Sequence, residues 1–171
     1  TQIRPHIIKL TFKALKGAKK AIVHLYNSTS TLQREVVFNN SMEDTTALAV
    51  AGAQLMLDEA AMIPETDFIF EYSPESFTGT EMDYAVDICN AVIDTIKPTS
   101  AKKMIINLPA TVEMATQNIY ADQIEYQCAK LHRRDSVLVS LHAHNDRGCA
   151  VAATELALLA GADRVEGTLF G

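Results

Sequence analysis

Two histidines separated by one residue, His142 and His144, end a short apolar run in the last third of the chain. A β-strand places residues i and i+2 on the same face, so both imidazoles would project in one direction. With a rise of about 3.3 Å per residue, their Cβ atoms would lie roughly 6–7 Å apart. Both rings can then reach one ion at about 2.0–2.2 Å from each nitrogen. The pattern predicts half of a metal site.

Other polar side chains stand inside or directly after the remaining apolar runs: His24, Ser73, Glu75 and Thr111. Each also has a purely structural interpretation. His24 can be a core histidine that a neighbour satisfies, and Thr111 can cap the helix that follows it. Asp146 is predicted to be an N-cap rather than a ligand. Whether these side chains form one site depends on the elements that carry them.

Short apolar runs and helix-like segments alternate along the chain. Strands are predicted at residues 21–26, 66–72, 103–108, 136–141 and 164–169. Helices are predicted over 1–16, 41–64 and 80–96, in a region that ends near 132 with a break near 118, and over 148–160. Capping boxes are predicted at Ser41–Asp44 and Thr80–Asp83. This order implies parallel strands joined by right-handed crossovers.

The composition narrows the functional classes. The chain has 171 residues, of which 48% are hydrophobic. Its net charge is −6 and it has no long basic block, so nucleic acid is not an expected partner. No apolar run approaches the roughly 20 residues that cross a bilayer, so a membrane is not an expected partner either. Its three cysteines are widely spaced, which indicates a reducing compartment. No glycine-rich phosphate loop follows a strand, which favours a (β/α)₈ barrel over an open doubly wound sheet.

Five segments then point to a known family: HLYNSTS at 24–30, EYSPE at 71–75, NLPATVE at 107–113, HAHND at 142–146 and VEGTLFG at 165–171. They resemble the 2-isopropylmalate synthases, in the longer form of fungi and some bacteria. These enzymes are metal-dependent Claisen-condensing (β/α)₈ barrels with His-x-His at the end of the sixth strand. The resemblance covers almost the whole chain.

The resemblance implies an acyltransferase that condenses acetyl-CoA with 2-oxoisovalerate to 2-isopropylmalate, the committed step of leucine biosynthesis. It makes His142 and His144 ligands of a divalent ion (Mg, Mn or Zn), and it allows for a monovalent cation as an activator. His24, Ser73 and Thr111 match positions that contact the 2-oxo acid. Glu75 matches a carboxylate that handles the acetyl group and is the expected catalytic residue.

The resemblance also implies that residues 1–171 are an internal segment of the catalytic barrel, about its strands 3 to 7. The first two strands, the last strand and the leucine-sensing regulatory domain would lie outside it. One Asp ligand and its neighbouring Arg belong to the first strand, so the segment alone is expected to be inactive. The parent is expected to be a homodimer, cytoplasmic in bacteria or mitochondrial in fungi. The alternatives are a homocitrate or citramalate synthase, or a non-catalytic barrel.

Overall fold

A computed structural model describes residues 1–169 and contains one parallel sheet whose strands follow chain order, β1-β2-β3-β4-β5. The strands are β1 (Lys20–Ser28), β2 (Asp67–Glu75), β3 (Met104–Ala110), β4 (Val137–Ala143) and β5 (Arg164–Val165). The helices are α1 (Pro5–Ala14), α2 (Met42–Ala61), α3 (Met82–Ile96), α4 (Gln117–Lys130) and α5 (Ala150–Leu159). Parallel strands alternating with helices confirm the predicted partial TIM barrel.

One face of the sheet packs against the helices and forms the core. Leu25, Tyr72, Ile106 and Val139 lie on this face and are completely buried, as are the residues that the helices contribute, such as Ile88. This apolar layer fixes the strands, and therefore the position of every side chain on the opposite face. Among residues 1–169, no helix combines the length and the apolar character needed to cross a membrane.

The opposite face of the sheet is polar at its centre. The parallel register pairs His24 with Glu71, Asn107 with Ser140, and Ser140 with Arg164. The interior of a (β/α)₈ barrel is usually filled by branched apolar side chains. Charged and amide groups at these positions are therefore unusual, and they indicate that a functional site lies on this face.

The capping box predicted for α2 is confirmed, and the one predicted for α3 is wrong. The Asp44 backbone N–H donates to the Ser41 hydroxyl at 3.0 Å, and the Ser41 N–H donates to the Asp44 carboxylate at 3.2 Å. The N-cap of α3 is Glu81, without a side-chain cap. The Thr80 hydroxyl is instead buried between the Ser76 carbonyl and another hydroxyl.

Several predicted boundaries are corrected by contacts that are not local. Residues 1–4 lie outside α1, and Gln2 forms a parallel bridge with Tyr26 on β1. Strand β2 continues through Ser73–Glu75 because these residues pair with 26–28 of β1. Helix α4 begins only at Gln117 and is unbroken at 118. Strand β5 ends at Val165, while 166–169 are irregular and 170–171 lie outside the described residues.

Candidate active site

His24 and Ser73 form the centre of the polar face. The Nε2 atom of His24 lies 2.6 Å from the Ser73 hydroxyl oxygen, which also accepts a hydrogen bond from the Asn107 amide at 3.0 Å. Ser73 and Asn107 are buried, and His24 is partly buried. Three adjacent strands thus each contribute one side chain to a connected polar row.

A second group of polar side chains lies on the other side of His24. Its Nδ1 atom is 3.3 Å from Oε1 of Glu71, whose Oε2 faces the Arg164 guanidinium at 3.4 Å. The same guanidinium donates to Glu166 at 3.0 Å, and Glu166 also accepts from the Ser140 hydroxyl at 2.5 Å. The Arg164 guanidinium therefore contacts two carboxyl groups on the polar face of the sheet.

Burial and neighbouring charges shift the pKa values of Glu71 and His24. Burial, followed by the hydrogen bond and the charge of Glu166, raises the pKa of Glu71 to about 8, although Arg164 opposes the shift. Burial lowers the pKa of His24 to about 4, against the opposing charge of Glu166. At neutral pH both Glu71 and His24 are therefore uncharged, and their close approach is a contact between neutral groups rather than an ion pair.

The metal-binding atoms of His24, Glu71 and Glu166 lie within 4.8 Å of one another, close enough to hold a cation. Arg164 already supplies a positive charge to both carboxyl groups. We therefore interpret this cluster as an ion-pair network that supports His24, and not as the metal centre.

The rings of His142 and His144 lie close together, although only His142 belongs to β4 and His144 directly follows its last residue. Their ring centroids lie 4.9 Å apart at an angle of 63°, and both side chains are partly exposed. His142 pairs in register with Pro109, and the His144 N–H donates to the Ala110 carbonyl at 3.2 Å. Burial and the neighbouring His144 lower the pKa of His142, which keeps its nitrogen lone pair available. Two imidazoles this close together are a donor set that suits a divalent transition ion.

Glu75 ends β2, two residues after Ser73, and Thr111 directly follows β3. The Glu75 carboxylate accepts a hydrogen bond from the Ser28 hydroxyl. The Ser76 N–H donates to the Thr111 hydroxyl at 3.0 Å. Glu75 also lines a cavity of about 150 Å³ together with Arg4, Tyr26 and Ser28. The carboxylate therefore faces a space that can admit part of a ligand.

Thr111 and Asp146 do not cap the helices that follow them. Thr116 is the N-cap of α4 and Cys149 that of α5, so the N-cap prediction for Asp146 is wrong. The Asp146 carboxylate accepts from the Glu113 N–H at 3.0 Å. This bond ties the loop after β4 to the loop after β3, which carries Thr111.

The sequence analysis assigned no role to the polar residues beneath the predicted site, namely Glu71, Asn107, Ser140, Arg164 and Glu166. A usable signal was present, because the first three each interrupt an otherwise apolar strand: DFIFEYS, MIINLPA and VLVSLHA. A buried polar group in such a strand needs partners. Which partners it meets depends on the register between strands.

Comparisons with known proteins agree with this architecture. The HMGL-like family model matches residues 1–171. The chain is 70% identical over 171 residues to a 2-isopropylmalate synthase of Acetoanaerobium sticklandii, covering 100% of the chain and 30% of that relative. It is 61% identical over 173 residues to one of Clostridium acetobutylicum and 62% identical over 172 residues to one of Rhodospirillum rubrum, covering in both cases 100% of the chain and 31% of the relative. The chain thus spans roughly a third of these relatives' length. It belongs to the HMGL-like family, and it is similar over its whole length to 2-isopropylmalate synthases.

Proposed function

We propose that this chain forms part of the catalytic barrel of a 2-isopropylmalate synthase, which condenses acetyl-CoA with 2-oxoisovalerate. The observation that carries the proposal is the His142–His144 pair, with ring centroids 4.9 Å apart at the carboxyl end of β4. Active sites of (β/α)₈ barrels form at this end of the strands. The names of the similar proteins support the same reaction.

His142 and His144 would hold a divalent ion, which when bound would act as a Lewis acid toward the ketone of the 2-oxo acid. The two rings are held by the packed core beneath β4 and by the backbone bond from His144 to Ala110. His24 and Ser73, bonded to each other, would contact the oxo acid. Thr111 would complete the substrate contacts from the end of β3.

Glu75, which lines the cavity of about 150 Å³, would act on the acetyl group of acetyl-CoA. Its side chain is partly buried and is oriented by the Ser28 hydroxyl. Its backbone carbonyl accepts from the Thr29 N–H at 3.1 Å and from the Thr29 hydroxyl at 3.2 Å. A carboxylate held at both its backbone and its side chain can accept or return a proton at a defined position.

The substrate profile of the whole protein that contains this chain tests the proposal. Release of coenzyme A is measured with 2-oxoisovalerate, 2-oxoglutarate and pyruvate, each with acetyl-CoA. We expect 2-oxoisovalerate to give the highest kcat/KM. A preference for 2-oxoglutarate or pyruvate would identify a homocitrate or citramalate synthase instead. No release with any 2-oxo acid would favour a non-catalytic barrel.

A further inference from the structure

Asn107 lies beneath the proposed substrate contacts without belonging to them. The residue is 2% exposed, and its side-chain amide donates to the Ser73 hydroxyl oxygen, which in turn contacts Nε2 of His24. Within residues 1–169, the Asn107 Oδ1 atom is buried without a hydrogen-bond partner. A buried amide with one unused acceptor is costly, so a core packing role alone accounts poorly for it.

The direction of the hydrogen bonds follows from what each group can donate. A serine hydroxyl has one proton, and an amide NH₂ can only donate. Within residues 1–169, Ser73 bonds with its side chain to Asn107 and His24, and of these contacts only Nε2 of His24 can accept the hydroxyl proton. The single N–H of a neutral His24 is then on Nδ1, which lies 3.3 Å from Oε1 of Glu71. Within residues 1–169 this Oε1 atom has no hydrogen-bond partner, so the contact to Ser73 is what selects the tautomer.

We propose that Asn107 is a positioning residue, which acts through Ser73 to hold His24 in the Nδ1–H tautomer and in one orientation for the 2-oxo acid. This proposal rests on the proposed function for its kinetic part but not for its tautomer part. Asn107 itself touches neither the substrates nor the reacting atoms. A hydrogen bond at the second nitrogen of a histidine commonly fixes its tautomer and ring orientation.

The tautomer is measured directly in the whole protein by long-range ¹H–¹⁵N NMR with ¹⁵N-labelled histidine. The His24 signal is identified by its loss in His24→Gln. We expect a protonated Nδ1 and an unprotonated Nε2 in the wild type. In Asn107→Leu, which removes the donor without adding charge, a substantial share of His24 should change to the Nε2–H tautomer. An Nε2–H pattern in the wild type would overturn the proposal.

Kinetic measurements distinguish a positioning role of Asn107 from a general contribution to the stability of the fold. Asn107→Leu should raise KM for 2-oxoisovalerate about tenfold, the effect of one misplaced hydrogen-bonding group, and leave KM for acetyl-CoA unchanged. Because Asn107 acts through Ser73, adding Asn107→Leu to Ser73→Ala should produce no further change in KM or tautomer. Additive effects in this double-mutant cycle would contradict the proposal.

Asn90→Leu is the matched control. Asn90 is also buried, and it bonds to the Lys130 carbonyl and the His132 N–H on the outer side of the sheet. The Asn90→Leu variant should have a lower melting temperature but an unchanged KM for 2-oxoisovalerate and an unchanged His24 signal. If Asn107→Leu behaves like this control, Asn107 has only a structural role and the proposal is wrong.

If Asn107→Leu does not fold, Ser73→Ala tests the proposal without it. Retention of the Nδ1–H tautomer of His24 in Ser73→Ala would contradict the proposal. A wild type that shows the expected tautomer but releases no coenzyme A would instead refute the proposed function.

Discussion

The Nε2 atom of His24 lies 2.6 Å from the Ser73 hydroxyl oxygen, although 49 residues separate them in the chain. The contact is diagonal, because the register of β1 and β2 places Tyr26, and not His24, opposite Ser73. Diagonal neighbours on one face of a sheet remain within reach of a long side chain. A register shift of one residue would turn Ser73 toward the helices and remove the contact.

Ser73→Ala tests this contact. It removes the hydroxyl from His24 and leaves the buried Asn107 amide without an acceptor. We expect the free energy of unfolding to fall by about 1–2 kcal/mol. KM for 2-oxoisovalerate should rise about tenfold. Urea denaturation and steady-state kinetics measure the two effects. The exposed Ser100→Ala is the control, and equal behaviour of the two variants would show that the contact is unimportant.

Arg34→Ala tests the loop that follows β1. The buried Arg34 donates to the Thr29 carbonyl at 2.9 Å and to both Glu81 oxygens at 2.6 and 2.5 Å. Without these hydrogen bonds the free energy of unfolding should fall by about 2 kcal/mol. The loss should not be larger, because the Glu81 carboxylate is partly exposed and stays solvated when Arg34 is removed. Lys20→Ala breaks the exposed pair with Asp67 and should cost less than about 0.5 kcal/mol. A loss of similar size in both variants would contradict this account.

The Glu71 carboxyl should make stability depend on pH. Its pKa rises from 4.5 to about 8 through burial and Glu166. Between these values the folded state holds a proton that the unfolded state has released, so the free energy of unfolding falls as pH rises and levels off above about 8. His24, whose pKa falls from 6.5 to about 4, has the opposite slope below 6.5.

The interval from pH 6.5 to about 8 therefore isolates Glu71 from His24. Glu71→Gln removes the titrating group but keeps its shape and its place beside Arg164. Urea denaturation of both proteins at successive pH values should give a decline in the wild type and a flatter curve in the variant. Curves of the same slope would show that Glu71 does not hold a proton in the folded state.

The sequence predicted the elements and the histidine pair because these are local patterns. Apolar runs mark the strands, and two histidines at i and i+2 share a face whatever the rest of the fold does. The end of β2 was not predictable, since Ser73–Glu75 is polar and extends the strand only by pairing with β1. The Glu71–Arg164 contact joins residues 93 apart and depends on the registers of the intervening strands.

The family resemblance supplied roles that local patterns do not carry, and these roles remain predictions. It singled out Glu75 and Thr111, which lie near each other at the ends of β2 and β3. It did not single out Asn107 or Glu71, although both lie within the matching segments. Their importance follows only from burial and from their contacts with Ser73 and His24.

The most direct test of the proposed synthase is the release of coenzyme A by the whole protein, supplied with acetyl-CoA, 2-oxoisovalerate and a divalent ion. His142→Ala is compared with His132→Ala, which alters an exposed histidine bound to Asp94 at 2.8 Å. We predict that His142→Ala lowers kcat about a hundredfold, because a Lewis acid supplies several kcal/mol, while His132→Ala keeps the wild-type rate. Full activity of His142→Ala would contradict the account.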